Sequence, residues 1–162
     1  MSVSKQVKEK LNSLSPGDVV SFNDFRNISN KQAVALALSR LNKRGEIKRL
    51  GKGKYYIPKK TRFGTLGPSE NSIFENLLRD EKNSYISGMA AYNKLGLTTQ
   101  VPSEVTIVGK KYNRRTKIGN VKVKYVRANV PITKSNTYLL QLLDAIRDAK
   151  KIPDTSVNDA VK

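Results

Sequence analysis

The chain has 162 residues, and its 31 Lys+Arg against 13 Asp+Glu leave a formal net charge of +18. Histidine and cysteine are both absent, which excludes disulfides, thiolate nucleophiles, zinc–thiolate sites and the Ser-His triad, and removes the commonest metal ligand. So large a positive excess repels the compact state and calls for an acidic partner. Nucleic acid leads, because each neutralised phosphate releases counterions; an anionic membrane surface comes second. No run of about 18 apolar residues is present, so no bilayer-spanning helix is expected. The start MSVSKQVKEK lacks the apolar core of a secretory signal, and a cytoplasmic location is expected.

In chain order, Val3, Val7, Leu11 and Leu14 are spaced by four, four and three residues, which predicts a helix over 3–14. Ser15-Pro16-Gly17 stops it. Asp18–Ser21 reads as extended and Phe22–Phe25 as a short helix. Ser29-Asn30-Lys31-Gln32 has the S-x-x-Q form of a capping box with Ser29 as N-cap. It predicts a helix running to Lys43 or Arg44, closed by Gly45. Val34, Ala37, Leu38 and Leu41 form its apolar face; Gln32, Leu36, Ser39, Arg40 and Lys43 cluster on the other. Glu46–Leu50 and Lys54–Ile57 predict a hairpin around Gly51-Lys52-Gly53. Helix, strand, helix, helix, hairpin is the order of a winged helix-turn-helix, expected over residues 1–60.

Residues 61–68, with two Gly and one Pro, read as a linker. A second domain is expected over 69–153. It opens with a helix bearing Ile73, Leu77 and Leu78, followed by a strand end at Tyr85-Ile86 and a helix over 88–95 stopped by Gly96. Strands follow at 105–108, 116–118 and 121–126, then a helix over 137–151 ended by Pro153. In the last strand Val121, Val123 and Tyr125 alternate with Lys122 and Lys124, which predicts one buried and one wet face. Residues 154–162 form a tail. The expected fold class is α+β: a winged helix-turn-helix followed by a small α+β domain with an antiparallel or mixed sheet.

Residues 1–66 hold fifteen Lys/Arg and four Asp/Glu. The predicted DNA-binding set combines Asn30, Lys31, Gln32, Ser39, Arg40 and Lys43 of the helix with Lys48, Arg49, Lys52, Lys54 and Tyr56 of the hairpin. Asn and Gln bond adenine bidentately, and Lys reaches guanine or phosphate. Ser39, Arg40 and Lys43 are assigned to phosphates, and Leu36 to packing on the hairpin rather than to a thymine methyl. Lys110, Lys111, Arg114, Arg115, Lys117, Lys122, Lys124 and Arg127 form a second basic segment. It either extends the nucleic-acid footprint or is the solvated, lysine-protected face of a sheet. A competing nuclease reading needs Asp24 with Glu46-x-Lys48 around a divalent metal. That pattern is loose, and Glu46 reads more simply as a solvated carboxylate beside a turn. No catalytic residue, metal or cofactor is assigned. Tyr85, Ser87, Tyr92, Asn93, Thr98, Thr99 and Gln100 are either a recognition surface or, the preferred reading, capping and turn chemistry with Ser87 as N-cap.

The run AVALALSRLNKRGEIKRLGKGKYYIPKK, followed by YISGMAAYNKLGLTTQVPSEVTIV, resembles the AbiEi-type antitoxins of type IV toxin–antitoxin systems, and the likeness extends over residues 1–153. It implies a winged helix that binds inverted repeats in its own promoter and represses transcription. It also implies a second domain that counteracts a nucleotidyltransferase-like toxin without needing a stable complex. The DNA role then falls on 30–43 and 46–57, and the antitoxin role on 69–152, with Tyr85–Pro102 as the candidate segment. No enzymatic activity is implied. The alternatives are a metal-dependent DNA nuclease and a general nucleic-acid binder.

Overall fold

The computed structural model describes residues 1–28, 30–110 and 113–153. Ser29, Lys111 and the tail 154–162 lie outside them. The fold is mixed α+β and divides into two units, Met1–Asp80 and Glu81–Lys162. No helix among the described residues is long and apolar enough to cross a membrane.

The first unit runs α1 (Val3–Asn12), β1 (Val19–Ser21), a 3-10 turn (Phe22–Phe25), α2 (Lys31–Lys43), β2 (Lys48–Gly51), β3 (Lys54–Tyr56), β4 (Lys59–Thr61), β5 (Gly64–Leu66) and α3 (Glu70–Asp80). The helical spacing seen in the sequence builds its core. Val7 and Leu11 of α1 and Val34, Ala37, Leu38 and Leu41 of α2 are buried with Val20, Phe25 and Ile47. An antiparallel sheet, β1-β3-β2, packs on this cluster through Val20 and Tyr55, which lie opposite each other. The N-cap of α2 is Asn30, one residue later than expected, and its side chain accepts the Ala33 N–H. Gly45 follows the helix at φ 75, the left-handed geometry that favours glycine.

Two expectations change behind this sheet. Residues 61–68 are no plain linker, because β4 and β5 pair antiparallel across the loop Arg62-Phe63. And α3 belongs to the first unit, so the second begins at Glu81 and not at 69. The reason is specific side-chain chemistry on the face away from α1 and α2. Asn76 Nδ2 and an Arg79 guanidinium nitrogen both donate to the Val19 carbonyl, at 3.3 and 3.0 Å. Ser21 Oγ donates to Asp80 at 2.5 Å. Lys54 Nζ pairs with Asp80 and donates to Asn76 Oδ1.

Burial pushes the Asp80 carboxyl up, but hydrogen bonds from Lys54 and Ser21 and the Lys54 charge outweigh it, and the net shift is downward. A carboxylate held below its unfolded value of about 3.9 stabilises the fold above that pH and loses the contribution as pH falls through its folded value. Urea midpoints of the wild type should therefore drop between neutral pH and pH ~3 more than those of Asp80→Asn. Equal drops would remove Asp80 from the acid response.

The second unit runs β6 (Tyr85–Ser87), α4 (Met89–Lys94), β7 (Glu104–Gly109), β8 (Arg114–Ile118), β9 (Val121–Arg127), α5 (Thr137–Arg147) and a 3-10 turn (Ala149–Lys151). Its sheet, ordered β6-β7-β9-β8, is mixed: β7 and β9 are parallel, the other neighbours antiparallel. Val121, Val123 and Tyr125 are buried and Lys122 exposed, the alternation read from the sequence. The N-cap of α4 is Gly88 at φ 71, not Ser87, whose hydroxyl is used elsewhere.

Candidate nucleic-acid interface

The open side of α2 is a continuous polar stripe. Buried Val34, Leu38 and Leu41 fix the helix rotation; Gln32, Leu36, Ser39, Arg40 and Lys43 are exposed on the opposite side, and Lys31 is exposed in the first turn. Leu36 is 52% exposed. It sits among polar neighbours on the surface. Asn30 is exposed, but its oxygen accepts the Ala33 N–H at 2.9 Å. That bond makes Asn30 the cap of the helix start.

The hairpin residues separate by register. Arg49 lies opposite Tyr55 on the face toward α1 and α2, while Lys48 lies opposite Tyr56 on the other face. Lys48, Arg49 and Lys52 are exposed, and the Arg49 N–H donates to Asn42 Oδ1 at 3.1 Å, tying β2 to α2. Gly53, at φ 68, turns the chain beside Lys52. Lys54 leaves the predicted set: its side chain is only 12% exposed and its ammonium is claimed by Asp80 and Asn76. Tyr56 is half-buried opposite Val19, on the α3 side of the sheet.

The carboxylates of the nuclease reading are each held locally. Asp24 accepts the Ser21 N–H at 2.7 Å and meets Arg79 at 3.0 Å. Glu46 pairs with Arg44 at 3.1 Å. Among the described residues no cluster of three or more acidic side chains is placed to hold a metal ion.

In the second unit, Arg115 lies opposite Lys124 and Lys117 opposite Lys122, so these four share one face of the sheet. Glu104 lies beside Lys122 and pairs with Arg115 at 3.2 Å. Arg114 is on the opposite face, its guanidinium 4.4 Å from the Tyr125 ring centroid. Lys110 and Arg127 are exposed near strand ends. Thus, among the described residues, the basic segment divides into a four-cation face with one acid and cations lying outside it.

A cleft of about 540 Å³ borders this face, lined by Tyr85, Ser87, Thr106 and Lys124 of the sheet and by Asp144 and Arg147 of α5. Sequence reasoning missed its organising residue. Buried Asp144 accepts hydrogen bonds from Tyr85 Oη at 2.9 Å and Ser87 Oγ at 2.6 Å, and pairs with Arg147 at 2.8 Å. Tyr92 Oη donates to Asp148 at 2.9 Å. Burial, then the carboxylate hydrogen bonds and charges, push both tyrosines far above their ordinary range. Burial opposes ionisation of Asp148, yet Tyr92, Lys151 and Arg147 together bring its pKa down. Tyr85 and Ser87 thereby clasp α5 to β6, and Tyr92 ties the end of α5 to α4. Tyr85→Phe should cost about 1.5–3 kcal/mol by urea unfolding; a change under about 0.5 kcal/mol would show that the clasp does not hold the unit. Asn93 Nδ2 bridges the carbonyls of Thr98 and Gln100, both at 3.1 Å, so these three residues do turn chemistry.

Residues 6–162 match the profile of a family described as "Family of unknown function (DUF6088)". No curated protein matches the chain.

Proposed function

Because the chain belongs to DUF6088, a family of unknown function, its activity has to be read from its own surface, and we propose that it is a double-stranded DNA-binding regulator without catalytic activity. In this reading the first unit is a winged helix-turn-helix: α2 enters the major groove and the β2–β3 hairpin lies along the backbone. The observation that carries it is the exposed stripe Gln32, Leu36, Ser39, Arg40 and Lys43 on one side of a helix anchored by its other side. Among the described residues no carboxylate pairs with Lys31, Arg40, Lys43, Lys48 or Lys52. Gln32 is the base reader, Leu36 the thymine contact, and the cations hold phosphates.

The second unit takes the antitoxin role that the AbiEi resemblance implies, counteracting a nucleotidyltransferase-like toxin. The stretch supporting it, 85–108, forms β6, α4 and β7. A cytoplasmic location follows from this reading. The runner-up is a general nucleic-acid binder, favoured by the second unit's four-cation face. Anisotropy titrations on DNA upstream of the gene and on scrambled DNA, at several salt concentrations, separate the two. The regulator gives a specific excess that survives salt, and equal affinities throughout would reject it. Gln32→Ala should remove about 1–3 kcal/mol of discrimination at its base pair while leaving scrambled-DNA affinity unchanged.

A further inference from the structure

Among the described residues the β4–β5 hairpin pairs with no other strand, and a lone two-stranded hairpin gains little stability of its own. Its tip is nevertheless built. Thr61 Oγ1 accepts the Phe63 N–H at 3.3 Å and donates to the Gly64 carbonyl at 2.8 Å. Gly64, at φ 123, supplies a backbone geometry that side-chain-bearing residues avoid. This arrangement presents Phe63 at the apex, 88% exposed. The Arg62 guanidinium lies 4.9 Å from the ring centroid. Lys59 and Lys60 are exposed on β4, and no acid occurs between Glu46 and Glu70.

A bare aromatic ring framed by cations, on a narrow ribbon, has the chemistry of a wedge. Cations neutralise phosphates on either side of a groove, and the ring enters a base step and unstacks it. A membrane surface would also meet Phe and Lys. It is the weaker partner, because one ring at the tip of a short hairpin is a marginal anchor compared with the broad apolar face that interfacial elements use.

We propose that the β4–β5 hairpin is a second DNA-contacting element, in which Lys59, Lys60 and Arg62 hold phosphates and Phe63 wedges between base pairs and kinks the duplex. The inference rests on the DNA-binding reading above. It adds a bend and a contact outside the α2 footprint, and its partner is duplex DNA rather than single strands because the ring acts against an intact stack.

The chain contains no tryptophan, so Phe63→Trp installs a single reporter at the tip. Full-length Phe63→Trp is titrated with a roughly 30-base-pair duplex from the DNA upstream of the gene. Stacking predicts quenched emission and loss of acrylamide accessibility at saturation. In parallel, the same duplex labelled at both ends reports bending by energy transfer. Wild type and Phe63→Trp should shorten the end-to-end distance, while Phe63→Ala should bind several-fold more weakly and leave the duplex straight. Wild-type binding with unchanged tryptophan emission, or equal bending by Phe63→Ala, overturns the wedge and leaves the DNA-binding reading intact. Absence of wild-type DNA binding overturns both. A blue shift on phosphatidylglycerol vesicles with no response to DNA overturns the wedge in favour of a membrane contact.

Discussion

Replacing Arg40, Lys43 and Lys52 together with Ala should flatten the slope of log affinity against log salt by roughly 2.7, at about 0.9 for each phosphate left unneutralised. At about 0.1 M salt the same arithmetic gives an affinity several hundred-fold weaker. The effect should be equal on upstream and scrambled DNA, because phosphate contacts position the protein without reading sequence. Stability should move by less than about 0.5 kcal/mol, since all three side chains are exposed and distant from the packed face of α2. An unchanged slope in a folded triple variant would mean that these cations face water, and the proposed interface would fail. A weakening restricted to one DNA sequence would instead make them base readers.

The second large effect is on stability and concerns a lysine that belongs to the same basic string. Asp80→Ala should destabilise the first unit by about 3 kcal/mol in urea unfolding at neutral pH. It strands the Lys54 ammonium, only 12% exposed, with Asn76 as its remaining partner. Ser21 is deprived of its acceptor at the same time. Lys52→Ala, two residues from Lys54 in the hairpin, should be near neutral. The double variant Lys54→Met/Asp80→Leu should recover most of the stability, because removing both charges also removes their desolvation cost. If Asp80→Ala is as stable as wild type, the pair contributes nothing and the attachment of α3 rests on Asn76, Arg79 and its buried apolar residues.

That contrast between Lys52 and Lys54 marks where sequence reading stops. Apolar spacing located the helices and their buried faces: Val7 with Leu11, and Val34 with Leu38 and Leu41, are in the core as their periodicity required. The alternation of Val121, Val123 and Tyr125 likewise placed one face of β9 inside. Periodicity names a face and not what covers it. The pattern Ile73, Leu77, Leu78 announced α3, yet nothing local says that its Asn76, Arg79 and Asp80 meet Val19, Ser21 and Lys54. The Lys54–Asp80 pair spans 26 residues, and without it Lys54 is one more cation in a basic run. Ser29 and Asn30 are both good N-caps, and sequence alone chose the wrong neighbour. The hairpin over 59–66 was hidden because its strands are three residues long and polar, with Pro58 and Gly67 beside them. Two strands that short are too brief for alternation to register. Asp144 was invisible for a different reason. It sits on a helix whose other signals are apolar, and its partners Tyr85 and Ser87 are more than fifty residues away.

The central claim is that the exposed side of α2 meets duplex bases. A benzophenone side chain introduced at position 36 reads this most directly. Leu36 lies in the middle of the stripe and is not needed for packing. Irradiation of the full chain bound to upstream DNA should give a cross-link that maps to one short stretch of bases. The same probe at position 75, on the exposed side of α3, should give none. Cross-linking from position 75 without any from position 36 would contradict the account, because DNA would then approach the α3 side of the unit and α2 would not be the reading helix.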